Sequence, residues 1–175
     1  MNRPLKNVVL TTVAILVSYS GVVAQFKSAT IGVDGLTCSM CSLSVEKSIR
    51  KLPFVKDVII DLNTTVAVVE FSDASGVEMR KLIKSVRDAG FSVRDLSASF
   101  IWQGRKSFDG AKFIYEDNMY LILNEPKEVD QDAIINVTFL DRTFTQSNLY
   151  KQYADKLKKF ESQNVINGSY YFVVL

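Results

Sequence analysis

The chain has no histidine, two cysteines, three prolines and one tryptophan in 175 residues. The lack of histidine removes Ser-His-Asp and Cys-His catalysis, His-ligated zinc and His-ligated haem together. It also removes the commonest acid–base group, and no enzymatic role is expected. Long hydrophobic runs are scarce. The one near the start, "VVLTTVAILVSYSGVVA", follows Arg3 and Lys6, is diluted by Thr, Ser and Gly, and closes on Val22-Val23-Ala24. A comfortable membrane span needs about 20 apolar residues. Residues 1–24 therefore read as an export signal with a small-residue cleavage pattern, ahead of an uncleaved anchor.

An excess of either charge is missing too. The 21 basic and 19 acidic residues become 19 of each once Arg3 and Lys6 are removed. A formally neutral mature chain lacks the basic excess of a nucleic-acid binder, so no nucleic-acid partner is expected, and no membrane partner after cleavage. The expected location is periplasmic or extracellular, where a pair of cysteines is normally pushed towards a disulfide. Nothing in the sequence sets the oligomeric state.

What is present is a strongly patterned chain. "SATIGV" alternates, with Ala29, Ile31 and Val33 on one face, as a half-buried strand does. Val45, Ile49 and Leu52 form one apolar helical stripe, and Pro53 forbids its continuation. "VKDVIIDL" and "VAVVEF" flank Asn63-Thr64 as an antiparallel hairpin. Met79, Leu82, Ile83 and Val86 repeat the helical spacing, Gly90 ends that helix, and "FSVRDL" supplies a strand. The order strand, helix, strand, strand, helix, strand predicts an α+β fold, a ferredoxin-like βαββαβ domain over residues 25–96.

Residues 97–175 read as a second small α+β domain of unknown topology. A hairpin of "KFIY" and "MYLIL", a strand "AIINVTFL", a helix from about Gln146 to Phe160 and a final strand "SYYFVVL" are expected there. Trp102, Phe108, Phe113, Tyr115 and Tyr120 make this part rich in aromatics, and core is the favoured reading over a binding surface. No Pro/Gly-rich linker separates the two parts, so they should touch.

Both cysteines lie in "GLTCSMC", Gly35 to Cys41, between the first strand and first helix. Ser39 is a plausible N-cap. Three residues is close to one helical turn, so the two sulfurs can converge on one point. The helix N-terminus favours thiolates, and two soft thiolates suit a soft ion of low coordination number: Cu(I) first, then Hg(II) or Ag(I). A simple disulfide staple is the competing reading. Thioredoxin-like redox chemistry stands last, because no aromatic precedes Cys38 and the element order is wrong. Met40 is better placed as a solvent-facing residue than as a third sulfur ligand.

Residues 27–96 resemble the heavy-metal-associated domain of copper chaperones, copper-ATPase N-terminal domains and periplasmic mercury-binding proteins. The motif of that family, GMTCxxC, stands here as Gly35-Leu36-Thr37-Cys38-Ser39-Met40-Cys41. The resemblance implies Cys38 and Cys41 as metal thiolates, Thr37 as a loop-shaping neighbour, and Leu36 as an apolar tether in place of methionine. It also puts Phe91 beside the metal, as in ATPase domains. The function it implies is an exported protein that holds a soft ion and passes it by ligand exchange between a metal donor and an acceptor protein. The alternative is an oxidised ferredoxin-like interaction scaffold whose function resides in the C-terminal domain.

Overall fold

The computed structural model describes residues 25–72, 76–101, 112–115, 118–124, 133–141, 143–144, 147–163 and 169–175. The expected export signal at 1–24 lies outside these residues, as do Trp102 and Phe108. No described helix is long and apolar enough to cross a membrane.

Alternation sets the first strand, β1 (Gln25–Asp34), in which Ala29, Ile31 and Val33 are buried on one face. The first helix, α1 (Ser39–Ile49), lays Val45 and Ile49 on that face. The expected hairpin follows as β2 (Val55–Asp61) and β3 (Val66–Phe71). Its turn is closed by the Asp61 carboxylate, which accepts from the Asn63 backbone N–H and the Thr64 hydroxyl, each at 2.8 Å. Those bonds hold the Asp61 carboxyl below the usual carboxylate range. A second helix, α2 (Met79–Asp88), buries Met79, Leu82, Ile83 and Val86, and β4 (Ser92–Ile101) completes βαββαβ. With β1 paired antiparallel to both β3 and β4, the arrangement is the ferredoxin-like one expected.

The C-terminal segment supplies β5 (Lys112–Tyr115), β6 (Asn118–Ile122), β7 (Ile134–Leu140), α3 (Ser147–Gln163) and β8 (Ser169–Val174). Because β7 pairs antiparallel with β4, the described strands join one sheet in the order β2-β3-β1-β4-β7-β8-β6-β5. Strand β4 runs through positions 96 and 97, where the sequence places the division between the two parts. Strands β6 and β8 are parallel, with β7 and α3 in the connection between them.

The sheet also curls. Phe26 in β1 lies 5.0 Å from Tyr115 in β5, although four strands separate theirs in the sheet. In a flat sheet that spacing would be about 24 Å. The curl encloses a core of aromatic rings, Phe26, Phe100, Phe113, Tyr115, Tyr120 and Phe139, with Phe113 and Tyr120 stacked at 4.6 Å. The core reading of Phe113, Tyr115 and Tyr120 therefore holds.

Helices cover both faces of the sheet, each over a different half. Along the β7–β8 pair, Phe139 and Val173 point towards the face that carries α1 and α2, whereas Leu140 and Phe172 point the other way. There α3 covers them with Leu157, Leu149, Tyr150 and Tyr153.

Candidate functional site: a disulfide-closed loop and a cleft between the two parts

The cysteine loop is built from three local decisions. Gly35 takes φ +86, a left-handed conformation open to glycine, and its carbonyl accepts from the Thr37 N–H at 2.9 Å. That turn sends Leu36 inward, where it is 1% exposed and joins the core. Thr37, Cys38 and Met40 are left outside, Met40 at 72% exposure, and Cys41 is half-buried. The N-cap is Cys38, not Ser39. Cys38 is extended (φ −145, ψ 158), and its Sγ accepts from the Cys41 N–H at 3.2 Å, taking the role a serine oxygen would have played. Ser39 opens the first turn and accepts from the Ser42 hydroxyl at 2.8 Å.

Phe91 reaches the loop through the end of α2. The Gly90 N–H donates to Arg87 and the Phe91 N–H to Val86, with Gly90 at φ +90, which is a Schellman ending. The chain thus swings back, and Phe91 Cδ1 stands 3.7 Å from the place a Cβ on Gly35 would occupy. Phe91 thus stands beside the loop, next to Gly35.

The expected thiolate pair is absent. Cys38 and Cys41 are joined in a disulfide, their Cα atoms 5.2 Å apart. The helical spacing that lets two sulfurs converge on an ion equally lets them bond to each other. In the bonded form, the electrons needed to grip Cu(I), Hg(II) or Ag(I) are committed to the S–S bond. Among the described residues, no group of three or more His, Cys, Asp or Glu is placed to hold a metal. The carboxylate at the end of β1, Asp34, faces Arg94 at 3.7 Å, and Arg94 also holds Asp95 at 3.0 Å. The reading of a reduced protein that holds and hands over a soft ion is corrected accordingly. The oxidised alternative fits the geometry.

A second feature had no signal in the sequence. Between α2 and the C-terminal elements lies a cleft of about 310 Å³, lined by Arg80, Ile83, Phe139, Tyr150, Leu157 and Tyr171 among others. Its wall is a contact between the two parts: the Arg80 N–H donates to the Tyr171 hydroxyl at 3.2 Å, and the Arg80 guanidinium lies 5.0 Å over the Tyr171 ring. Burial pushes the Tyr171 phenol up from its ordinary pKa, partly opposed by the Arg80 bond.

Comparison with known proteins matches residues 30–92 to the family described as heavy-metal-associated domain. The periplasmic component of a mercuric transport protein from Pseudomonas fluorescens is 37% identical over 82 residues, 47% of this chain and 89% of that protein. The chain belongs to the heavy-metal-associated domain family. The family domain occupies only part of it. Copper-transporting ATPase 1 from Rhizobium meliloti is 41% identical over 68 residues, which is 39% of this chain and 8% of the ATPase. The crystal structure of oxidized MerP from Ralstonia metallidurans CH34 is 39% identical and covers 40% of this chain and 99% of its own, with a TM-score of 0.36. These relatives are transport proteins by name.

Proposed function

We propose that this protein is an exported interaction scaffold: a heavy-metal-associated unit, residues 25–96, closed by its disulfide and carrying a binding function in residues 97–175. The observation that carries this reading is the Cys38–Cys41 bond, which leaves the loop without thiolates. The cleft at the junction supports the second half of it. A cleft of about 310 Å³ whose walls combine apolar Ile83, Phe139 and Leu157 with polar Arg80, Asp141 and Tyr171 offers room for a partner's side chains.

Several relatives carry the word periplasmic in their names, and the leader-like segment at 1–24 agrees with export. The partner is a protein, since the mature chain is formally neutral and offers nucleic acid no basic stripe. Copper and mercury belong to the names of the relatives. In the oxidised chain Leu36, Thr37 and Phe91 shape a closed loop rather than support an ion.

Two measurements test this. Cu(I) titration of the protein as isolated, against a competing chelator, should give no more binding than the Cys38→Ser/Cys41→Ser double variant; tight binding abolished in that variant would overturn the reading. A photo-crosslinker placed at Tyr150 in the cleft should capture a partner in the native compartment, whereas one at Ser44 on α1 should not. Capture at Ser44 alone would move the function out of the C-terminal part.

A further inference from the structure

We propose that the Cys38–Cys41 disulfide is a stoichiometric oxidant of cysteine pairs in apolar peptide segments. This goes beyond the scaffold reading and does not depend on the cleft. Thioredoxin-like architecture is absent, but thiol–disulfide exchange needs only an accessible sulfur, a stabilised leaving thiolate and a surface that receives the substrate.

The two sulfurs are unequal. Cys38 is exposed, whereas Cys41 is half-buried in the first turn of α1. An incoming thiolate attacks Cys38 Sγ, the S–S bond breaks, and its electron pair leaves on Cys41 Sγ. The second thiolate of the substrate then attacks the substrate sulfur of the mixed disulfide, and the pair leaves on Cys38 Sγ. The substrate ends with a disulfide, having lost two electrons and two protons. Cys38 and Cys41 end as thiols or thiolates, so the electrons balance without a further oxidant.

The second leaving step, departure of Cys38 Sγ from the mixed disulfide, is assisted by the loop. The Cys41 N–H points at Cys38 Sγ from 3.2 Å, at the head of an eleven-residue helix. A negative sulfur there gains more from that donor and from the helix dipole than a neutral one does. Stabilising the released thiolate stabilises the reduced form, which makes the pair a better oxidant. Two apolar side chains stand exposed beside it among the polar Thr37, Ser39 and Ser44: Met40 is 72% and Leu43 39% exposed, both on the opening turns of α1. Such side chains receive an apolar segment and give no purchase to a small hydrophilic thiol.

The test uses the oxidised full chain and two probes, a single-cysteine peptide with leucine and phenylalanine flanks, and glutathione. After acid quench and alkylation, mass mapping should place the peptide on Cys38 and the alkyl group on Cys41. Met40→Ser/Leu43→Ser should slow the peptide roughly tenfold and leave glutathione unchanged. In the single variants, exchange of the free thiol with the oxidised peptide should be roughly tenfold faster for Cys41→Ser than for Cys38→Ser. No adduct, adduct mainly on Cys41, or equal slowing of both probes would overturn the proposal. None of these results bears on the partner captured at Tyr150.

Discussion

The Phe26 and Tyr115 rings meet edge to face, 5.0 Å apart at an interplanar angle of 82°. One belongs to the ferredoxin-like part and the other to the hairpin at the far edge of the sheet. Phe26 also touches Phe100, Tyr120 and Phe139, so a single side chain ties together both ends of the curl.

Phe26→Ala should accordingly unsettle the whole molecule, because the residue is fully buried and its ring neighbours come from four other strands. A loss of about 3–5 kcal/mol in urea unfolding is expected, in one transition reported alike by backbone and aromatic signals. A loss below about 1 kcal/mol, or two separated transitions, would show that the curl is not held as described.

Tyr171→Phe tests the junction. The variant keeps the ring under Arg80 and loses the oxygen that accepts the Arg80 N–H, at an expected cost of about 1 kcal/mol at neutral pH. The pH dependence has a definite sign. Burial raises the folded pKa of Tyr171 above its ordinary value of 10.0, so its contribution is fully present below that value and lost as pH rises through the folded pKa. Urea midpoints from neutral to strongly alkaline pH should fall more steeply for the wild type than for the variant. Parallel curves would place Tyr171 in solvent.

Reducing the disulfide should weaken the fold without undoing it. The bridge spans a sequence separation of three, and so short a loop restricts the unfolded chain by only about 2 kcal/mol. The core beneath, Leu36, Val45 and Ile49 among its members, is independent of the sulfur bond. Urea unfolding with and without reductant checks this; collapse of the native signal on reduction alone would contradict it.

The first six elements were legible because each carries its own period. Ala29, Ile31 and Val33 alternate, and Met79, Leu82, Ile83 and Val86 recur at helical spacing, so local pattern and tertiary burial coincide. The last five elements were legible as elements but not as a topology. Nothing local tells Tyr120 that its parallel neighbour is Tyr171, or Ser97 that it pairs with Thr138. The cleft depends on the same distant pairings and was invisible for that reason.

In the loop, the sequence pattern led to the wrong sulfur chemistry. Spacing brings Cys38 and Cys41 together in either oxidation state, and only the structure distinguishes the bonded one. The cap was misplaced by one residue because serine is a common N-cap, whereas here the sulfur of Cys38 accepts the bond.

Intact-mass spectrometry of the protein taken from its native compartment, acid-quenched and alkylated at once, addresses the central claim most directly. A chain short by one hydrogen per cysteine, with neither Cys38 nor Cys41 alkylated and no metal attached, is the result this account predicts. A chain alkylated at both sulfurs, or one that carries a soft metal ion before alkylation, would contradict it.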